Sequence, residues 1–357
     1  MQGRQHNNLN AVRLVLAVLV ILDHCFPLTL GKEGDPLFVL SRHQTSFGGL
    51  AVDLFFFISG FLITASWLNC KSMNDYLRRR VLRIVPGYVV ALIFSFLVAA
   101  AFALHPLADL PSRLGKFRDI FALGYESTTG NWIFPGNPLP FEANGSLWTI
   151  SREFFCYLLI AAIGLFGFFK HRIFILGAFA LFFAYYGLSL LKGVDIIYSD
   201  RRFFTFFLAG AVVWLWREKI PVSHTLAILA LVIALISTRF PPLFIMLTPL
   251  TACYLVLWVG FAFRIKSMAW CDQTDLSYGV YLFAFPVQQM LAALGMKNPW
   301  LMFAVATPVI MGVAFCSWNL VEKPCLKLKA KDFSDHDPSP ATRSQSPPAT
   351  ATSKVNW

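Results

Sequence analysis

Arg13 and His24 interrupt an apolar run near the start of the chain, RLVLAVLVILDH, and stand eleven residues apart. On an α-helix that spacing turns through about 1100°, three turns and about 20°, and climbs about 16 Å. The two side chains therefore share a face, one towards each half of a bilayer. Titratable groups inside a membrane span normally face a protein interior or a water-filled path. An imidazole titrates near neutral pH and can take a proton from a hydroxyl. Asp23 precedes His24 but points about 100° away on the helix, which makes it a poor orienting partner.

Five further stretches carry polar residues in apolar surroundings. In YLRRRVLRIVP, Arg80 and Arg83 are three residues apart and share a helix face. Such a run reads either as a positive anchor or as guanidinium forks for the phosphates of a cytoplasmic cofactor. In FGGLAVDLFFFISGF, Asp53 could cap a helix, pair with a cation or orient a catalytic group. In NGSLWTISRE, Ser146 suits a helix cap, and Trp148, Arg152 and Glu153 open an otherwise apolar helix. An intramembrane carboxylate needs a partner, and His24 or Arg13 could supply it to Glu153, unless Glu153 serves only as structural glue. LSYGVYLFAFPVQQ places Tyr278, Tyr281, Gln288 and Gln289 in apolar sequence, and SWNLVEKP reads as helix termination by charge and proline.

Other chemistries find no support. The seven cysteines are scattered and lack metal-ligand spacing, so they read as packing residues. No Walker loop, HExxH, GxSxG elbow or Asp-rich pyrophosphate motif is present.

The elements that must position these groups follow from composition. The 357 residues are 57% hydrophobic and 14% charged, against about 25% charged in a soluble domain. Apolar runs near 20 residues, the length that crosses about 30 Å of hydrocarbon, recur from end to end. We expect an all-α polytopic membrane protein with ten spans, at about 11–30, 47–69, 86–104, 147–168, 173–191, 202–216, 223–239, 241–263, 276–294 and 301–321. The first run reads as an uncleaved helix rather than a signal peptide, because Asp23 and His24 break it and no small-residue cleavage site follows. With both termini cytoplasmic, 18 Lys and Arg fall on the cytoplasmic side and 10 on the other, which satisfies the positive-inside rule. The net charge of +11 is then a property of that face, and nucleic acid is not needed to explain it. The proline-rich segment 105–146 is expected to form a partly ordered cap or substrate-facing loop. Residues 1–325 form the membrane domain, and 326–357, rich in Ser, Thr, Pro and Ala, a disordered cytoplasmic tail.

Taken together these stretches resemble the acyltransferase-3 family of integral membrane O-acyltransferases, which modify bacterial surface polysaccharides, O-antigens and Nod factors. The resemblance rests on NNLNAVRLVLAVLVILDH, GGLAVDLFFFISGFLI, RRRVLRIVP, GSLWTISREFFCY, RRFFTFFLAGA, LSYGVYLFAFPVQQ and SWNLVEKP, in that order over about residues 7–325. Many members carry a histidine before the Phe-Pro pair where this chain has Ala284, which throws more weight on His24. The resemblance implies a ten-helix core in the bacterial inner membrane and acetyl transfer from acetyl-CoA, without a metal, to a hydroxyl of a saccharide. His24, Glu153 and Asp53 would then be catalytic, Arg13, Arg80 and Arg83 would hold the CoA phosphates, and Ser146 and Trp148 would meet the acceptor. The residues alone leave a second reading open, a proton-coupled secondary transporter or glycan flippase, since intramembrane Arg, His and Glu suit proton coupling. They do not fix the oligomeric state.

Overall fold

The computed structural model describes residues 7–31, 34–102, 133–140, 142–192 and 199–331. Among these the fold is all-helical. The helices are α1 (Leu9–Cys25), α2 (Pro36–Leu40), α3 (Phe47–Leu68), α4 (Met73–Ala101), α5 (Trp148–Leu165), α6 (Arg172–Leu191), α7 (Asp200–Trp216), α8 (His224–Ser237), α9 (Pro241–Phe261), α10 (Ser277–Ala293), α11 (Pro299–Ser317) and α12 (Lys323–Lys331). Six of them, α3, α4, α5, α6, α9 and α11 with its continuation, are long and apolar enough to cross a membrane. The ten expected spans each coincide with a helix, but α1, α7 and α10 reach 17 residues and α8 only 14. Most of the outer segment, 103–132, and the tail beyond Lys331 lie outside the described residues.

Local signals start the helices that matter. Ser46 caps α3 by accepting the Gly49 N–H at 3.1 Å, and Ser72 caps α4 by accepting the Asp75 N–H at 3.2 Å. Asn8, ahead of α1, instead ties the chain start to the end of α9: its Nδ2 donates to the Val259 carbonyl at 2.8 Å and its Oδ1 accepts from Ile265 N at 3.0 Å. That bond sets Arg13 beside the turn leading into α10.

Helix α10 is the hub, with 14 of its 17 residues buried; it packs on α1, α4 and α11. The tightest crossing is α3 on α7. A Cβ on Gly60 would stand 1.9 Å from the Phe207 carbonyl oxygen, and one on Gly210 2.0 Å from that of Phe57. Only glycine permits this approach, a device common where helices pack in membranes. At the rim, α6 exposes Ile173, Phe174, Leu181 and Leu188, and α8 exposes Ile228, Leu229, Leu235 and Ile236. An apolar belt of this extent belongs against lipid.

Two local expectations are corrected. SWNLVEKP does not end the last long helix. The chain passes through a π-turn at Trp318–Glu322 into α12, with Pro324 in the first turn, where its missing N–H costs nothing. Ser146 does not cap α5, which begins at Trp148 behind Leu147 with no side-chain cap.

Candidate functional site

Two chambers that share lining residues lie beside α1. The smaller, about 50 Å³, is lined by Arg13, Glu153, Thr149, Ser277 and Tyr278. The larger, about 200 Å³, is lined by His24, Asp23, Asp35, Ser46, Ser146 and Trp148. Val52 of α3 and Tyr281 of α10 line both, and form the partition between them. The Tyr281 hydroxyl is fixed there, 2.8 Å from Thr149 Oγ1 and donating to the Ser146 carbonyl at 3.1 Å. Arg13 and His24 thus line adjoining chambers, as their shared helix face requires.

Beside the smaller chamber, Arg13 and Arg83 converge on one carboxylate. Arg13 Nη1 donates to Asp275 Oδ2 at 2.7 Å and Arg83 Nη2 to the same oxygen at 2.6 Å, while the Ser277 hydroxyl donates to Oδ1 at 2.6 Å. Burial alone would raise the Asp275 carboxyl, but the two guanidiniums outweigh it and hold the group well below the usual carboxylate range. The buried Glu322 also faces Arg83 and Arg13, so the two guanidiniums meet two carboxylates here. Arg83 also lies 5.4 Å from the Tyr278 ring centroid and 6.0 Å from that of Trp318. Arg80 goes elsewhere despite sharing its helix face. Its Nη2 reaches Ser66 Oγ at 3.4 Å, its guanidinium lies 5.7 Å from the Tyr157 ring centroid, and its Nε is buried with no hydrogen-bond partner.

Glu153 meets neither His24 nor Arg13 by hydrogen bond. It accepts from the Tyr157 hydroxyl at 2.6 Å and from Ser59 at 3.3 Å, while still lining the chamber that Arg13 opens into. Asp53 is fully buried and gripped by Arg202, whose Nε donates to both carboxylate oxygens at 2.8 and 2.7 Å. Arg202 Nη2 donates to Asp53 as well and to Thr45 Oγ1 at 2.8 Å. Of the three roles open to Asp53 in the sequence, its geometry is that of a cation pair, joining α3 to α7.

In the larger chamber the His24 ring stands edge-on to Phe285, centroids 5.1 Å apart at 86°. Its Nδ1 is buried with no hydrogen-bond partner, and the Gln288 side chain lies within reach of the ring. Gln288 is itself held by donating to the Ile21 carbonyl at 2.7 Å. The opposite wall is the segment before α5. Asn144 pins it by donating to the Leu282 carbonyl and to Ser95 Oγ, both at 2.9 Å, while accepting the Ser146 N–H at 3.1 Å. Ser146 is 2% exposed, and its Oγ has no partner. The walls of one chamber therefore hold an imidazole nitrogen and a hydroxyl, both buried and without a hydrogen-bond partner. Among the described residues no group of three or more His, Cys, Asp or Glu is arranged to hold a metal.

The acyltransferase-3 family model, described as an acyltransferase domain, matches residues 6–319. The chain belongs to this family. It is similar to an O-acetyl transferase of Shigella phage Sf6, 27% identical across 89% of this chain and 95% of that one. It is also similar to nodulation protein 10 of Rhizobium leguminosarum bv. viciae, 24% identical across 90% of this chain and 94% of that one. No solved structure matches it. The protein is a membrane acyltransferase.

Three groups that shape the acyltransferase's chambers escaped sequence reasoning. Asp275 sits in a turn outside any apolar run. Arg202 counted as an outer-face charge but is buried inside α7. Asp35 carried only a helix-start signal, Asp followed by Pro, and it does accept the Phe38 N–H at 2.8 Å as the cap of α2. Burial pushes its carboxyl up to about 6; the N–H groups of Phe38 and Phe47 hold it back, and the nearby Asp23 adds to the rise. Above an unfolded value near 3.8, the folded acyltransferase keeps a proton that the unfolded chain has released. This group's contribution to stability therefore falls as pH rises from about 4 to about 6. In detergent, the thermal midpoint should drop between about pH 4 and pH 6.5 by more in the wild type than in Asp35→Asn. Equal drops would show that Asp35 does not titrate in this way.

Proposed function

We propose that this acyltransferase moves an acetyl group from acetyl-CoA, bound at the Arg13 and Arg83 corner, to a saccharide hydroxyl in the chamber of His24. The observation that carries the reading is a pair of chambers sharing Val52 and Tyr281 in their walls, one lined by Arg13 and the other by His24, whose Nδ1 has no hydrogen-bond partner. His24 takes the acceptor hydroxyl proton as the oxygen attacks the acetyl carbonyl carbon. The C–S bond then breaks, and the imidazolium returns its proton to the leaving thiolate, giving the O-acetyl ester and CoA thiol. Glu153 holds Tyr157 beside the donor chamber; Ser146 and Trp148 face the acceptor.

The residues at the Arg13 corner fit a phosphorylated donor. Arg13 and Arg83 share a single oxygen of Asp275, so an incoming phosphate competes with that carboxylate for their N–H donors. The 16 Å or so of helix between Arg13 and His24 is about the reach of an extended pantetheine arm. A chamber of about 50 Å³ admits that arm only if the side chains at the partition swing aside. Ten spans with both termini cytoplasmic, in a bacterial inner membrane, put the Arg13 corner where acetyl-CoA is made, and the excess of Lys and Arg on the segments that face it supports that orientation.

Two measurements test the reading. Acetyl-labelled acetyl-CoA given to membranes holding the protein should deliver label to glycan without a second enzyme; label that never leaves CoA would contradict it. Arg83→Ala should weaken acetyl-CoA binding to purified protein by about 10- to 100-fold, the worth of a charge-assisted contact. Arg80→Ala should weaken it less, since Arg80 stands apart from Asp275. Unchanged affinity in both would return these arginines to a membrane-anchoring role.

A further inference from the structure

The larger chamber holds a feature that acid–base work at His24 does not use. Asp23, on α1, and Asp35, capping α2, bring their carboxyls into hydrogen-bond contact with each other. Two carboxylates held this close repel each other and favour taking up a shared proton, which leaves the pair an anion. Backbone groups hold it in place. Asp35 accepts from Phe38 N at 2.8 Å and Phe47 N at 3.2 Å, and Asp23 from Gly48 N and the Ser46 side chain. Gly48 is needed for this: a Cβ there would stand 2.5 Å from Asp23 Oδ2. Across the same chamber, Ser146 Oγ is buried without a partner, and Trp148 contributes an aromatic wall. An orphaned buried hydroxyl is a cost that a ligand's polar group can remove.

We propose that the Asp23–Asp35 pair is the acceptor subsite, holding two hydroxyls of a single uncharged sugar ring so that a neighbouring hydroxyl faces His24. The pair's free oxygens accept the O–H protons of two adjacent hydroxyls, as a ring diol presents them. The ring's apolar face lies on Trp148, and Ser146 takes a third polar contact. The pair's negative charge repels a carboxylate, so uronic acid rings are rejected. A chamber of about 200 Å³ has room for a sugar ring. The pair takes no part in bond making; it positions the acceptor, and the proposal rests on the acyl-transfer reading above.

The test uses full-length protein in nanodiscs with acetyl-labelled acetyl-CoA. Acceptor probes are methyl glycosides of several neutral hexopyranoses and the methyl glycoside of glucuronic acid. Wild type is expected to label at least one neutral glycoside, and to prefer it over the glucuronide by tenfold or more. Asp23→Asn and Asp35→Asn should raise the KM for that glycoside at least tenfold while the KM for acetyl-CoA moves less than twofold. An unchanged glycoside KM, equal use of the glucuronide, or failure of every neutral glycoside while acetyl-CoA is still hydrolysed would each overturn the subsite. The preference for neutral rings is read on the wild type and does not depend on either variant folding. A wild type that neither transfers nor hydrolyses the acetyl group would instead overturn the acyl-transfer reading, and the subsite with it.

Discussion

Replacing His24 with alanine should lower acetyl transfer by about 10³-fold, within the range that a positioned general base contributes, while leaving the protein folded and inserted. The second half of that expectation follows from the ring's surroundings. His24 meets Phe285 edge-on, and its Nδ1 bonds to nothing in the protein, so truncation breaks no hydrogen-bond network on that side. Ala284 is fully buried and has no proton-transfer chemistry to offer in its place. Transfer should be followed with acetyl-CoA and glycan, and folding by thermal midpoint in detergent. A His24→Ala variant that keeps transfer within tenfold of wild type would remove His24 from the reaction.

Asp53→Ala should do the opposite, destroying the fold rather than the chemistry. It would strand Arg202 at 4% side-chain exposure between α3 and α7. Removing one member of a buried pair costs about 3–5 kcal/mol, because the other charge is left uncompensated. We expect little folded protein from Asp53→Ala, and substantial recovery in Asp53→Asn with Arg202→Gln, where no charge remains to be paired. Glycines at the same crossing leave the helices no room to shift around the defect. Folded Asp53→Ala protein with normal thermal stability and lost transfer would instead give Asp53 a direct part in catalysis.

The sequence showed the helices and the line of the path because both depend on local pattern. Apolar runs of span length mark every long helix, and the eleven-residue spacing puts Arg13 and His24 on one face whatever surrounds them. The partners were hidden because they come from distant segments. Arg13 and Arg83 meet on Asp275, 262 and 192 residues away in the chain. Arg202 looked like one more surface charge at the end of a span, and only the glycine-mediated approach of α3 to α7 buries it against Asp53. Glu153 did carry a readable signal. Tyr157 lies four residues on, one helical turn away, where its hydroxyl can reach the carboxylate. The Asp35 N-cap was legible too, from Asp-Pro, but its meeting with Asp23 was not.

The central claim is that donor and acceptor enter from opposite ends of one path and react at His24. Proteoliposomes holding the acceptor glycan only inside, with acetyl-labelled acetyl-CoA only outside, test it most directly. We predict label on the enclosed glycan with the wild type and none with His24→Ala, while the CoA thiol is released outside. Label reaching the glycan only when donor and acceptor share one side of the membrane would contradict a through-membrane path.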